Sequence, residues 1–196
     1  MKTILLMRHS IAERLDLPTE ELPLSKAGRD LAAERKESLS NIHIQRCFSS
    51  PYRRARETAE ILFGKPVLVD KLHERIPGTA PEDFWEKQYG NFDVKFPGGE
   101  SLNEVRQRMK NALDSVLENL SEGETALVVS HATAICAYLT NYCSLTVVDP
   151  ETKRRNITFH DTTVFEGSFN PTEYFILSFE ADKLMDITFC SGSTRA

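Results

Sequence analysis

Ile4-Leu5-Leu6-Met7-Arg8-His9-Ser10 and Ala126-Leu127-Val128-Val129-Ser130-His131-Ala132 repeat one arrangement. In each, a short apolar run stops abruptly and hands a histidine, then a small residue, to the loop beyond. Runs of this length bounded by polar clusters predict buried strands over residues 3–7 and 125–129. Working outward, 47–49 and 67–69 read as further short strands, 174–179 and 184–189 as late ones, with an extended stretch at 162–165 before them. Ser25 is a plausible N-cap for a helix towards Leu39, although Gly28 stands in its first turn. Pro51 suits the first position of a helix through Ala59, Ile61 and Leu62, and 132–142 reads as another. The strongest helix signal is the capping box Ser101-Leu102-Asn103-Glu104, with Leu102, Val105, Met109, Ala112, Leu113, Val116, Leu117 and Leu120 at helical spacing. Strands alternating with helices predict an α/β fold, a three-layer sandwich whose mostly parallel central sheet carries helices on both faces.

Composition narrows the function classes. The 196 residues, 27% charged and 40% hydrophobic, suit one domain spanning 1–196. A net charge of −5 argues against a nucleic-acid surface and leaves room for a local cationic pocket. No apolar run approaches the roughly 20 residues that span a bilayer, and the first is short for a signal-peptide core, so a cytoplasmic location with no membrane partner is expected. Cys47, Cys136, Cys143 and Cys190 form no Cys-x-x-Cys pair; Cys136 and Cys143 share an expected helix and stand roughly 10 Å apart, too far to bridge. Reduced, buried thiols and no structural zinc are the expectation. Residues 77–99 mix prolines and glycines with Phe84, Trp85, Tyr89, Phe92 and Phe96. A flexible linker would be poor in aromatics, so about 76–100 reads as a lid or side lobe. Its rings, Phe84 and Trp85 above all, are candidates for substrate specificity as well as for a small packed core under a loop.

The chemistry lies at the strand ends. In open α/β sheets ligands sit beyond the carboxyl ends of strands, near helix N-termini whose free N–H groups attract anions. His9 and His131 would meet at such an edge, and Ser49-Ser50-Pro51-Tyr52-Arg53-Arg54-Ala55-Arg56 adds cations beside the same geometry. Taken singly, a strand-end histidine is more often structural, and the run from Arg53 to Arg56 is more often a solvated helix face. Leu72-His73-Glu74-Arg75 alone reads as a surface turn with an ion pair of little consequence. Together and in this order they read as a phosphate site. Lys153-Arg154-Arg155 reads as a solvated loop.

Leu6-Met7-Arg8-His9-Ser10, Leu24-Ser25-x-x-Gly28, Ser49-Ser50-Pro51-x-x-Arg54-Ala55-x-x-Thr58-Ala59, Glu74, Pro97-Gly98-Gly99-Glu100-Ser101 and Val129-Ser130-His131 resemble, in order, the motifs of the histidine phosphatase superfamily. That superfamily holds cofactor-dependent phosphoglycerate mutase and many small bacterial phosphatases. The resemblance implies a phosphoglycerate mutase-like fold, with His9 as the phosphorylated nucleophile, Arg8, Arg54 and His131 on the phosphoryl oxygens, and Glu74 as proton donor. It implies catalysis by His9, Glu74 and His131 with no metal and no cofactor. The physical logic agrees: imidazole is a nucleophile only when unprotonated, and a hydrogen bond fixing one ring nitrogen presents the other to phosphorus.

The chain also departs from the pattern. Ser10 and Ala132 stand where glycine is usual, placing Ser10 among the specificity candidates. Ala12 and Leu15 occupy positions where many members carry Thr and Asn, and Glu74-Arg75-Ile76-Pro77-Gly78 lacks the Trp-Glu that often follows. The implied function is a phosphomonoester hydrolase of the histidine acid type acting on a small phosphorylated metabolite. The alternatives are a phosphoglycerate mutase, for which the chain is short of enclosing segments, and a phospho-ligand-binding regulatory protein without significant turnover. Neither the ester nor the oligomeric state follows from the residues.

Overall fold

The computed structural model describes residues 1–81 and 84–192. Its strands are β1 (Lys2–Arg8), β2 (Arg46–Ser49), β3 (Val67–Leu68), β4 (Thr125–Ser130), β5 (Ser144–Asp149), β6 (Arg154–Phe159), β7 (Thr162–Gly167), β8 (Tyr174–Glu180) and β9 (Lys183–Cys190). Its helices are α1 (Lys26–Ser38), α2 (Arg53–Leu62), α3 (Phe84–Gly90), α4 (Leu102–Glu118) and α5 (Ala132–Leu139). A six-stranded sheet has the order β3-β2-β4-β1-β8-β9. β3, β2, β4 and β1 run parallel to one another, and β8 and β9 extend the sheet antiparallel from β1.

The apolar runs at the centre are continuous because both faces of the sheet are covered. Ile4 and Leu6 of β1, with Ala126 and Val128 of β4, join the core beneath α4 and α5. The intervening Leu5, Met7, Leu127 and Val129 join a second core with Ala55, Ala59 and Leu62 of α2. Alternate side chains of one strand thus serve opposite layers, and a one-residue slip would exchange them. The α4 capping box forms in full, Ser101 accepting from the Glu104 N–H and Glu104 accepting from that of Ser101.

Four sequence expectations need correction. The helix after Pro51 begins at Arg53, because the Ser50 N–H donates to the Val129 carbonyl at 2.9 Å and keeps the chain extended beyond β2. α5 stops at Leu139, short of residue 142; Thr140 Oγ1 and Asn141 Nδ2 donate to the carbonyls of Ala137 and Tyr138 and divert the last turn. Residues 84–90, read as irregular, form α3, and the extended stretch at 162–165 is β7 of a three-stranded antiparallel sheet whose β5 and β6 went unread. Arg154 and Arg155 both lie on β6, Arg154 exposed and Arg155 buried, and only Lys153 of that run sits in an exposed turn. All four cysteines are free, three of them buried and Cys190 half-buried.

Two close approaches require glycine. A Cβ on Gly28 would lie 2.0 Å from the Ile11 carbonyl oxygen, which also accepts the Ser25 N–H at 3.0 Å. The unfavourable glycine in the first turn of α1 is what lets the loop after His9 lie against it. Gly28→Ala is expected to lower stability by about 1–3 kcal/mol, checked by urea denaturation, because backbone must move to admit the methyl group. The second approach is at the neck of the 76–100 excursion. Gly78 has φ +65°, and a Cβ there would stand 2.4 Å from the Pro97 carbonyl oxygen. The neck is closed by Thr79 N–H to Pro97 O at 3.0 Å and Glu100 N–H to Ile76 O at 2.8 Å.

Candidate active site

Register places the site. Met7 pairs with Val129 and Arg8 with Ser130, so the two central parallel strands end level. The His9 N–H donates to the Ser130 carbonyl at 2.9 Å. His9 and His131 therefore emerge side by side, their ring centroids 4.9 Å apart and edge to face. α2, entered from the neighbouring β2, carries Arg54 to the same edge. Its Nε donates to His9 Nε2 at 3.0 Å and its Nη2 to His131 Nδ1 at 3.2 Å. Arg54 Nη1 also donates to the Thr19 carbonyl, which holds the guanidinium from the far side.

Each histidine has a defined tautomer. His9 Nδ1 lies 2.6 Å from the Ser10 carbonyl, an acceptor, so Nδ1 carries the proton and Nε2 the lone pair. Burial, reinforced by the positive fields of Arg54 and Arg8, pushes the His9 imidazole down to about 3. His131 is lowered as well, by burial and then by His9 and Arg54. Its Nδ1 accepts from Arg54, and its Nε2 donates to Ser50 Oγ at 2.9 Å. Both rings are neutral at physiological pH, as a nucleophile of this kind requires.

The lowered His9 value has a consequence for stability. An unfolded histidine titrates near 6.5, so between about pH 6.5 and 3 the unfolded chain holds a proton that the folded chain refuses. Stability must therefore fall as pH falls through that window, with a contribution of about 2 kcal/mol by pH 5. His9→Gln should lose correspondingly less stability than the wild type between pH 7.5 and 5 in urea denaturation. Equal losses would mean that folded His9 takes up its proton over the same pH range as in the unfolded chain.

Glu74 follows a single 3-10 turn, Asp70–Leu72, anchored by fully buried Leu72. Its carboxylate accepts from the N–H groups of Thr133 (3.1 Å), Ala134 (2.9 Å) and Arg75 (2.8 Å). The first two are unpaired donors at the start of α5, where the preceding His131 side chain supplies no cap. The Glu74 side chain is thereby fixed at the N–H groups two and three residues beyond the second histidine. Arg8 donates to the Phe169 carbonyl and lies with Glu74 in the wall of a cavity of about 320 Å³. Burial lowers Arg8 while the charge of Glu74 opposes that change.

Phe84 and Trp85 line the same cavity. Ser10 does not: it is fully buried, and its hydroxyl donates to the Gly28 carbonyl at 2.7 Å. Its place is in the support beneath His9, where its N–H also donates to Thr58 Oγ1 at 3.0 Å. Tyr52, unassigned from sequence, sets its ring 5.1 Å from that of His131 and under the Arg54 guanidinium. Arg155 was also missed, although Arg155-x-Ile157-x-Phe159 has the alternation of a half-buried strand once arginine is admitted as an inward residue. Among the described residues no His, Cys, Asp and Glu cluster is placed to hold a metal ion, and no helix is long and apolar enough to cross a membrane.

The family model of the histidine phosphatase superfamily (branch 1) matches residues 4–180. The chain is 33% identical over 155 residues to a probable phosphoglycerate mutase, GpmB, of Escherichia fergusonii, covering 69% of this chain and 72% of that one. Its fold is similar to that of a mycobacterial glucosyl-3-phosphoglycerate phosphatase solved with VO3, with TM-score 0.72 and 17% identity over 97% of this chain and 100% of that one. A phosphoserine phosphatase of Entamoeba histolytica is similar at TM-score 0.60 and 20% identity, covering 87% and 97%. At those identities the solved structures speak to the fold alone, and it is the same α/β arrangement. Sequence and fold together make this chain a member of branch 1 of the histidine phosphatase superfamily.

Proposed function

We propose that the chain is a phosphomonoester hydrolase that acts on a small phosphorylated metabolite through phosphohistidine at His9. The observation that carries this reading is the His9 ring: Nδ1 is tied to the Ser10 carbonyl, and the unprotonated Nε2 accepts from Arg54 Nε beside the His131 ring. Nε2 attacks phosphorus and the ester P–O bond breaks as the P–N bond forms. Arg54 exchanges its bond to Nε2 for the phosphoryl oxygens, where Arg8 joins it. His131 can donate there by shifting its proton to Nδ1, since the Ser50 hydroxyl can turn to donate to Nε2. Glu74 protonates the leaving oxygen, then takes a proton from the water that attacks phosphorus and restores His9.

These side chains account for every charge in the reaction, so hydrolysis of p-nitrophenyl phosphate should persist in EDTA. A denaturing quench during turnover should trap one acid-labile, base-stable phosphoryl group on His9. Turnover without that group would overturn the mechanism. A mutase is the second reading, favoured by the likeness to GpmB; a coupled assay for interconversion of 2- and 3-phosphoglycerate separates the two.

A further inference from the structure

The cavity beside Arg8 and Glu74 is built for charge. Arg75, Lys153 and Arg155 also line it, and Glu74 is the only carboxylate among the described residues of its wall. Arg75 is 5% exposed, yet none of its three guanidinium nitrogens has a hydrogen-bond partner among the described residues. Its charge rests on the face of Phe84 at 5.2 Å. Gln88, 1% exposed, leaves both its amide oxygen and nitrogen unpartnered. Arg155 is 3% exposed, lies over Trp85 at 5.1 Å and Tyr89 at 5.7 Å, and donates to Tyr89 Oη at 3.1 Å. Guanidinium groups thus lie over three rings of the excursion, Phe84, Trp85 and Tyr89, and bring positive charge to a wall that these rings would otherwise leave apolar.

A buried guanidinium without an acceptor is unfavourable, and in the wall of a cavity a bound anion supplies the acceptor it lacks. Planar guanidinium groups match carboxylate and phosphate oxygens in two-point geometry, and a neutral amide alongside can donate to the same group. We propose that the cavity holds the substrate's leaving group by a second anionic group, a carboxylate or a further phosphate, bound by Arg75, Gln88 and Arg155. This rests on the reading of His9 as phosphoryl acceptor, and it narrows the substrate class to phosphomonoesters that carry another anion. The small β5-β6-β7 sheet acquires a purpose here, since β6 delivers Arg155 opposite the excursion.

Trp85 is the only tryptophan of the chain and stands in this wall, so its fluorescence reports binding. In full-length His9→Ala, which cannot turn over, two matched pairs are titrated: 3-phosphoglycerate against glycerol 3-phosphate, and fructose 1,6-bisphosphate against fructose 6-phosphate. The first pair tests a carboxylate and the second a further phosphate. At least one pair should favour its more anionic member by tenfold or more in Kd. Arg75→Met in the same background should bring that ratio close to one, and Arg75→Lys should restore part of it. Gln88→Leu should lower it independently, which covers a failure of Arg75→Met to fold. Ratios near one in both pairs, or ratios that Arg75→Met and Gln88→Leu leave unchanged, would overturn the proposal. If p-nitrophenyl phosphate is hydrolysed through His9 while the ratios are flat, only the second-anion inference falls. If the ratios hold and no phosphohistidine forms, the subsite stands and the hydrolase reading falls.

Discussion

His9→Ala should lower kcat for p-nitrophenyl phosphate by three orders of magnitude or more, with the phosphohistidine trap giving no signal. The size follows from the role: removing a covalent nucleophile eliminates the intermediate, and only binding and the electrostatic groups remain to help direct attack by water. The fold should tolerate the change. His9 lies at a strand end, and its backbone N–H bond to Ser130 survives the substitution. Retained stability with lost turnover separates a chemical role from a structural one. Activity within tenfold of wild type would remove His9 from the reaction.

Glu74→Gln is expected to have the second largest effect, and one that depends on the substrate. For an alkyl phosphate, whose leaving oxygen needs a proton, kcat should fall by about 10²–10⁴. For p-nitrophenyl phosphate, whose phenolate departs readily without one, the fall should be much smaller. The comparison is needed because Glu74 also holds a helix start in place, its oxygens accepting the N–H groups of Thr133 and Ala134 at the beginning of α5. If that anchoring were its whole contribution, the two substrates would lose rate equally. Steady-state kinetics on both, with a thermal melt of the variant, distinguish proton donation from anchoring.

Most of the central architecture was legible because its signals are local and agree. Apolar runs that stop at histidines, a capping box and a helical stripe all point to one sheet with helices on both faces, and the β1–β4 register then brings the two histidines together without further information. Illegible parts had conflicting local signals. Gly28 looked like a flaw in α1 and is instead a contact with Ile11, visible only when two distant segments are seen together. α3 is short and lies in a stretch rich in proline and glycine. β6 hides its period of two because one inward position is arginine, and the hydrogen-bonding demand of Arg75 and Gln88 has no signature in one dimension. The departures at Ser10 and Ala132 likewise look more serious in sequence than in space, since the Ser10 hydroxyl finds the Gly28 carbonyl.

The closed neck of the 76–100 excursion bears on how such a molecule can change. Its ends are joined by their own backbone hydrogen bonds and by Gly78 lying against Pro97. What hangs beyond the neck can therefore vary in length and content without pulling on the sheet edge that holds His9 and His131. The conformational penalty of lengthening such a loop is slight, about 0.6 kcal/mol for each doubling. The excursion can accordingly vary while the sheet edge stays fixed; of the proposed anion subsite it carries Gln88, whereas Arg75 and Arg155 stand outside it.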